Sequence, residues 1–523
     1  NTEAARWHAQ ATPHLTGAEK IHHTRQAARC YHAADRTLEA AQQYQLLASL
    51  VDDEEERFDF EVLATVMMLQ CGHYGLVAGT LNAFAKKLGL PRPKPQWLAQ
   101  ISIVVGVIRL KMQRGSMIDL VRSSPTSSVP PSPDETNAKL RKKIDLCTAL
   151  ERPMSLFNNL YATELNLTSA MLVRKHGTFE QRLVTAVGES IFGSYEPGRN
   201  RDEGLSNLIE LLSIANQRGN VKSIGDVWAG LTYSHFLASR WDQMETPLAS
   251  CVENYRSIEP SCSFEILHVQ WTGLWANWNQ GRWDQMTSSS DEMFETAVRR
   301  NHNFGKQITL TALGGNAWLV RDHDSELDSL RSQLDNSDES SPDDLLGLLD
   351  RIGRIYSAIY RGDDRRAWGL HTELQLQTIR LPFAKMQFMR IICQSLGALI
   401  GLHCHTTNPS PDWVKRIRRE TSKLRSEGIP FSCTLADFYD GMLQWNLARQ
   451  SGNPSDCEAA VRWLTRAQSD AEEARLRPIQ LAAADALAAI ATGTPSQLLR
   501  NRMIARGVVS PDKLARLYTI VPQ

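Results

Sequence analysis

Apolar residues recur along most of this chain in helix-length stretches separated by short polar turns. Before several of these turns, large side chains stand three positions apart: Tyr233 and Phe236, Trp275 and Trp278, Tyr356 and Ile359. That spacing places each pair on one face of an α-helix. After the turn a second amphipathic stretch begins, as in Met244, Leu248, Cys251, Val252 and Tyr255, and again in Met286, Met293, Phe294, Ala297 and Val298. The predicted unit is helix A, a turn and helix B. Neither helix can bury its stripe alone, so the units must stack. Alternating runs of Val, Ile and Thr are few, and strands are not expected.

The turns are periodic. Arg240-Trp241-Asp242-Gln243-Met244 returns as Arg282-Trp283-Asp284-Gln285-Met286, 42 positions later. Gly362 to Ala367 is a weaker copy two periods on, Val320 to Asp324 lies between, and Gly198 to Gly204 lies one period upstream. Breaks near 198, 239, 281, 321 and 362 define a step of about 40 residues, the mark of a repeat array. The same grammar holds at Ala34 to Ala40 and Gly72 to Ala78, and at Gly452-Asn453-Pro454 between Phe438 to Leu443 and Ala459 to Leu464. The fold expected is all-α: an α-α superhelix, or solenoid, of tetratricopeptide-like helix pairs.

Within the repeated pentapeptide, Trp241 and Trp283 are expected at the turn entering helix B, packed on the preceding helix. Asp242 and Asp284 then stand near the helix start, where a carboxylate favours the dipole, and Met244 and Met286 face inward. Asp52 to Glu56 reads as a helix start, with Asp52 as cap and Glu55 in the capping-box position. Ser123 to Pro133 reads as a loop or linker and Asp335 to Asp344 as a shorter acidic loop. Both contain Ser-Pro pairs, a phosphate-acceptor pattern that is ordinary in exposed loops. The expected organisation is an N-terminal helical block (1–115), a Ser/Pro-rich loop or linker (116–138), the main array (139–497) and a C-terminal helical tail (498–523).

Composition removes several functions. With 523 residues, 42% of them hydrophobic, the chain can fill a core, and Lys+Arg and Asp+Glu balance at 58 each. No basic surplus exists to neutralise a phosphate backbone or an anionic membrane, so nucleic acid is not expected as the main partner. The run Lys415 to Arg419 reads as a solvated helix face. Nine scattered cysteines with no CxxC suit reduced thiols in a cytoplasmic protein. The longest apolar stretches, Ile101 to Ile108 and Ile391 to Leu402, fall short of the roughly 20 residues of a membrane span. No signal peptide is evident. Asn1 to Arg6 leads directly into helix-like sequence, so an upstream part of the polypeptide is expected.

Chemical motifs are missing in each class sought. The sequence has no phosphate-binding GxxxxGK[ST]. Val320-Arg321-Asp322 is nearest to a kinase catalytic loop, but Val stands where His is required and no Asp-Phe-Gly follows. His22, His23, Cys30 and His32, and likewise His403-Cys404-His405, would diverge around a helix rather than converge on zinc. No nucleophile elbow or activated cysteine is recognisable. No catalytic, cofactor-binding or metal-binding residue is therefore assigned, and no cofactor is expected. Trp271, Trp275, Trp278 and Trp283 would make an interaction hot spot if exposed, but their helical spacing beside a turn reads as core.

The aromatic in helix A, the Gly-containing turn and the Ala or Met early in helix B resemble tetratricopeptide repeats. Ala27 to Ala34, Cys71 to Pro91, the long apolar helix after it, Lys142 to Cys147, and the ending Ala505 to Val508 with Leu514 to Tyr518 look like one particular group. They resemble the C-terminal helical region of large bacterial Ser/Thr protein kinases that carry a signal-transduction-type ATPase domain. The resemblance covers most of the chain in order and spacing. It implies a non-catalytic sensor or scaffold, with catalytic domains upstream and none of their residues here. The expected partner is a protein or peptide in the helical groove, or those upstream domains. Two alternatives stand beside it: a region that binds a small-molecule effector, and an enzyme with an unrecognised site. A pocket with convergent ionisable groups favours the enzyme over a smooth groove, and thermal-shift screening against metabolites separates the effector-binding region from a protein scaffold.

Overall fold

The computed structural model describes residues 1–113, 115–124, 135–193, 199–258, 262–335, 344–380, 386–494 and 496–520. Among the described residues the chain is all helical, with 27 α-helices and two 3₁₀ turns and no strand. Among the described residues most consecutive helices pack against one another, which is compatible with the α-α array expected from the repeats. No helix among the described residues is long and apolar enough to cross a membrane.

From Ser263 onward the pairs sort into two layers. Helices such as Ser263–Asn279, Leu345–Arg361, Gln387–Thr407 and Pro430–Ser451 are buried over most of their surface. Their partners, Trp283–Arg299, Pro411–Ser426 and Pro454–Glu473, bury only a stripe. In Trp283–Arg299 that stripe is Trp283, Met286, Ser290, Met293 and Ala297, alternating steps of three and four. Val298 falls outside it and is exposed.

The turn between the two helices has a fixed chemistry. Ser239, Gly281, Asp322 and Gly362 each adopt a left-handed backbone, at spacings of 42, 41 and 40 residues. The next residue closes a six-residue hydrogen-bonded loop in every case, with the amides of Arg240, Arg282, His323 and Asp363 donating to the carbonyls of His235, Asn277, Trp318 and Ala358. This is the Schellman motif, which satisfies the last free carbonyls of helix A. Asp35 and Gly72 make the same turn in the first block. Gly198, the expected upstream member, lies outside the described residues. Asn453 caps its helix through Ser455 and Pro454 occupies the first turn, after the left-handed Gly452.

Both tryptophans of the repeated pentapeptide are buried, as are Met244 and Met286. The two copies nevertheless start differently. Trp283 opens an α-helix directly, whereas Trp241–Gln243 is a 3₁₀ turn before the helix Glu245–Arg256. Pro247 accounts for this: deeper than the first turn it would remove a helical hydrogen bond and clash with the preceding turn, so an α-helix that starts after Met244 is favoured.

Three sequence expectations are corrected. Asp53, not Asp52, caps Glu54–Gln70, its side chain accepting from the Glu56 amide at 2.7 Å. Part of the supposed linker 116–138 is folded. Met117–Arg122 is a helix whose Met117, Ile118 and Val121 share a core with Ile144, Val173 and Leu183, because this stretch supplies enough apolar surface to dock. The Ser/Pro-rich stretch itself, 125–134, and residues 336–343 of the acidic loop lie outside the described residues. Finally, that stretch does not divide two cores, since Leu146, Cys147, Leu150, Met154 and Tyr161 pack with residues from Ala28 to Leu90.

The inner faces of distant units also meet. One core runs from Leu156 to Ile520, because aromatic side chains from distant units meet inside. Phe236 lies 4.5 Å from Phe388 and Trp241 lies 5.6 Å from Phe431, centroid to centroid. The C-terminal segment then laces the successive turns. Arg506 pairs with Asp284, Ser510 and Lys513 with Asp322, and Arg516 with Asp364. The Arg516 carbonyl also meets His403 Nε2 at 2.9 Å. In the same way the first block docks through its turns, Asp35 on Ser263 and Arg300, and the Cys71 carbonyl on the Phe304 amide.

Candidate functional site

The interior is not filled everywhere. A half-open cavity of about 700 Å³ remains between the helices Glu135–Phe157, Asn159–His176, Phe179–Gly193, Val221–Leu237, Ser263–Asn279 and the start of Gln387–Thr407. That volume lies within the range of small-molecule sites. Glycines set its dimensions. At Gly230 a Cβ would come within 2.7 Å of Val187, and at Gly225 within 2.9 Å of the Tyr255 ring, so both permit close helix packing. Gly188, in contrast, lines the cavity with nothing within 4 Å of where its Cβ would stand.

One wall is an ionic cluster. The buried Asp226 accepts from Arg152 Nη2 at 3.0 Å, Lys222 Nζ at 3.2 Å and the Tyr255 hydroxyl at 2.8 Å. Arg152 also reaches Glu265 at 3.8 Å, and Glu151 accepts from Asn166 at 2.6 Å. About a third of the Arg152 side chain is accessible, and that surface lines the cavity. Burial pushes the Asp226 carboxyl up, but Arg152, Lys222 and Tyr255 outweigh it and hold the group below the usual range. Glu151 moves the other way: burial raises it, and Asn166 and Arg152 offset that only in part.

The opposite character comes from Phe236, which packs against both Phe388 and Trp271. Trp271 Nε1 is buried without a hydrogen-bond partner among the described residues. His268 joins the two walls. Its Nδ1 lies 2.9 Å from the Tyr233 hydroxyl, its ring stacks between Phe264 and Trp271, and burial lowers its pKa to about 4, so it is neutral at pH 7. The cavity thus offers an orphaned donor, a weakly held carboxylate in Glu265 and an aromatic surface. Replacing Asp226 with Asn should remove a buried ionic partner and cost about 3 kcal/mol or more, read by denaturant unfolding.

The residues singled out for chemistry in the sequence lie elsewhere. His403 and His405 face different partners, Arg516 and Asn446. His23 meets His8 rather than Cys30, at 3.1 Å. Asp322 forms a turn and is lowered to about 2 by Lys513, Tyr360 and Ser510. Arg416 stacks on Trp368 and Arg419 pairs with Glu420, so the 415–419 run is partly structural. Of the four clustered tryptophans all are buried, and only Trp271 lines the cavity. The cluster of Glu151, Arg152, Asp226 and Glu265 was missed because it comes from three helices. Its signal was present: Asp226, Glu265 and His268 are polar residues inside the most apolar A helices.

No protein-family model matches the chain, and no curated protein matches its sequence.

Proposed function

We propose that this chain is a non-catalytic sensor region that holds a small amphipathic effector in this half-open cavity. The cavity carries the reading. It has a volume suited to one small ligand, an aromatic wall, and polar groups that are satisfied by one another apart from Trp271 Nε1 and the loosely held Glu265. A compact molecule with an apolar body, one acceptor and one cationic or hydroxyl donor fits that chemistry. Asp226 is engaged by Arg152, Lys222 and Tyr255 at once and Glu151 by Asn166, which favours recognition over proton transfer. The turns at Asp284, Asp322 and Asp364 are engaged by the chain's own C-terminal segment, which favours the cavity over a peptide bound along them.

Walls drawn from early, middle and late units give the ligand a mechanical role. A molecule that touches all of them favours their closed arrangement and shifts any equilibrium with a looser one. The readout would pass to a protein partner, which the resemblance makes the kinase and ATPase domains of a bacterial signalling polypeptide. Nine free cysteines and the lack of a spanning helix among the described residues support a cytoplasmic setting.

Thermal-shift screening of a metabolite collection tests this. A ligand of the native state raises the melting temperature in a concentration-dependent way. A broad collection that yields no such compound would count against the proposal.

A further inference from the structure

The helix Gln96–Met112 is apolar on both sides. It packs on Asn159–His176 through Ala99 and Gly106, where a Cβ would meet Leu167 at 2.9 Å. At about 100° per residue, the opposite side presents Trp97, Ile101, Val104, Val105, Ile108 and Met112 as one continuous stripe. These side chains are exposed, Trp97 at 62% and Met112 at 77%. So large an apolar run on the surface marks an interaction site.

Charge says with what. Between Glu61 and Asp119 the sequence has no Asp or Glu but seven Lys and Arg. On the helix, the exposed Arg109 and Lys111 border the stripe on its two sides. Lys94, bonded to Glu164 at 2.7 Å and Ser102 at 3.1 Å, ties the start of the helix to its support and keeps the stripe outward. An apolar stripe containing Trp, bordered by Arg109 and Lys111 on a helix without carboxylates, supplies the apolar area and the attraction to anionic lipid on which peripheral binding depends.

We propose that Gln96–Met112 docks the protein on an anionic membrane surface, the stripe entering the headgroup region and Arg109 and Lys111 meeting lipid phosphates. The proposal is independent of the cavity. It adds peripheral attachment to a chain whose described helices do not span a bilayer.

Cosedimentation of the full chain with phosphatidylcholine–phosphatidylglycerol vesicles, against pure phosphatidylcholine, tests it. The wild type should pellet with the anionic vesicles, and Ile101→Glu with Ile108→Glu should lose this while keeping its melting temperature. Arg109→Gln with Lys111→Gln should weaken anionic binding about tenfold or more, as raised salt should. Three results would overturn the proposal. The wild type could stay in the supernatant, leaving the stripe to a protein partner, or the charge variant could bind unchanged. Light scattering without lipid could show a dimer that the double Ile variant dissociates, making the stripe a contact between copies.

Discussion

Trp283→Ala should lower the unfolding free energy by about 3–5 kcal/mol, the cost of a large cavity in a packed core. Trp283 is fully buried, and its Nε1 donates to the Tyr518 hydroxyl at 3.1 Å. Tyr518 also stacks on Trp278, with centroids 4.9 Å apart. The substitution therefore opens a hole and also removes the seat of the C-terminal segment. Tyr518→Phe keeps the ring and loses only the hydrogen bond, so it should cost about 1 kcal/mol. Denaturant unfolding measures both. Proteolysis of Trp283→Ala should begin in the last 20 or so residues, where local opening now costs least. Unchanged stability would show that the repeated motif is not the structural joint inferred for it.

Acid should unfold the protein well before its carboxylates are neutralised. Burial lowers His302 to about 3 and His235 to about 4, against an ordinary value of 6.5, and nearby cations Arg300 and Arg240 add to it. His268 shifts in the same direction. A histidine with a lowered folded pKa is neutral in the native state, whereas the unfolded chain takes up a proton below about pH 6.5. Stability is thus intact above that pH and falls as pH drops toward the folded values. Each group contributes about 1.4 kcal/mol per pH unit well below pH 6.5 and half that slope at pH 6.5, so His235 and His302 together should remove about 3 kcal/mol between pH 6.5 and 5. The pH dependence of the denaturant midpoint reads it, and His302→Asn should flatten the slope.

The architecture was legible because it is local and repeated. Three-residue aromatic spacing specifies an A helix, and the left-handed residue at Ser239, Gly281, Asp322 and Gly362 specifies its end. The closed interior was less legible, since Phe236 meets Phe388 across more than three repeats and no periodicity encodes that distance. Met117–Arg122 was hidden because six residues are too few for a helical pattern to emerge. The cavity cluster was hidden for a related reason. Arg152, Asp226 and Glu265 sit on three helices, and each alone reads as an ordinary charged residue. What could have been read was the oddity of Asp226 and Glu265 amid apolar neighbours, since a buried charge is kept only with partners. Similarly, the outward stripe of Gln96–Met112 reads from sequence only as a helix too short to span.

The cavity is the centre of this account, and Gly188 gives direct access to it. Gly188→Leu places a side chain in open space on a helix, so stability should hold or rise by up to about 1 kcal/mol through the lost glycine. Calorimetric titration of a compound found by thermal shift, into wild type and into Gly188→Leu, is the decisive measurement. One molecule should bind per wild-type chain with no detectable binding to the folded variant; equal affinity for both would place the ligand elsewhere and contradict the account.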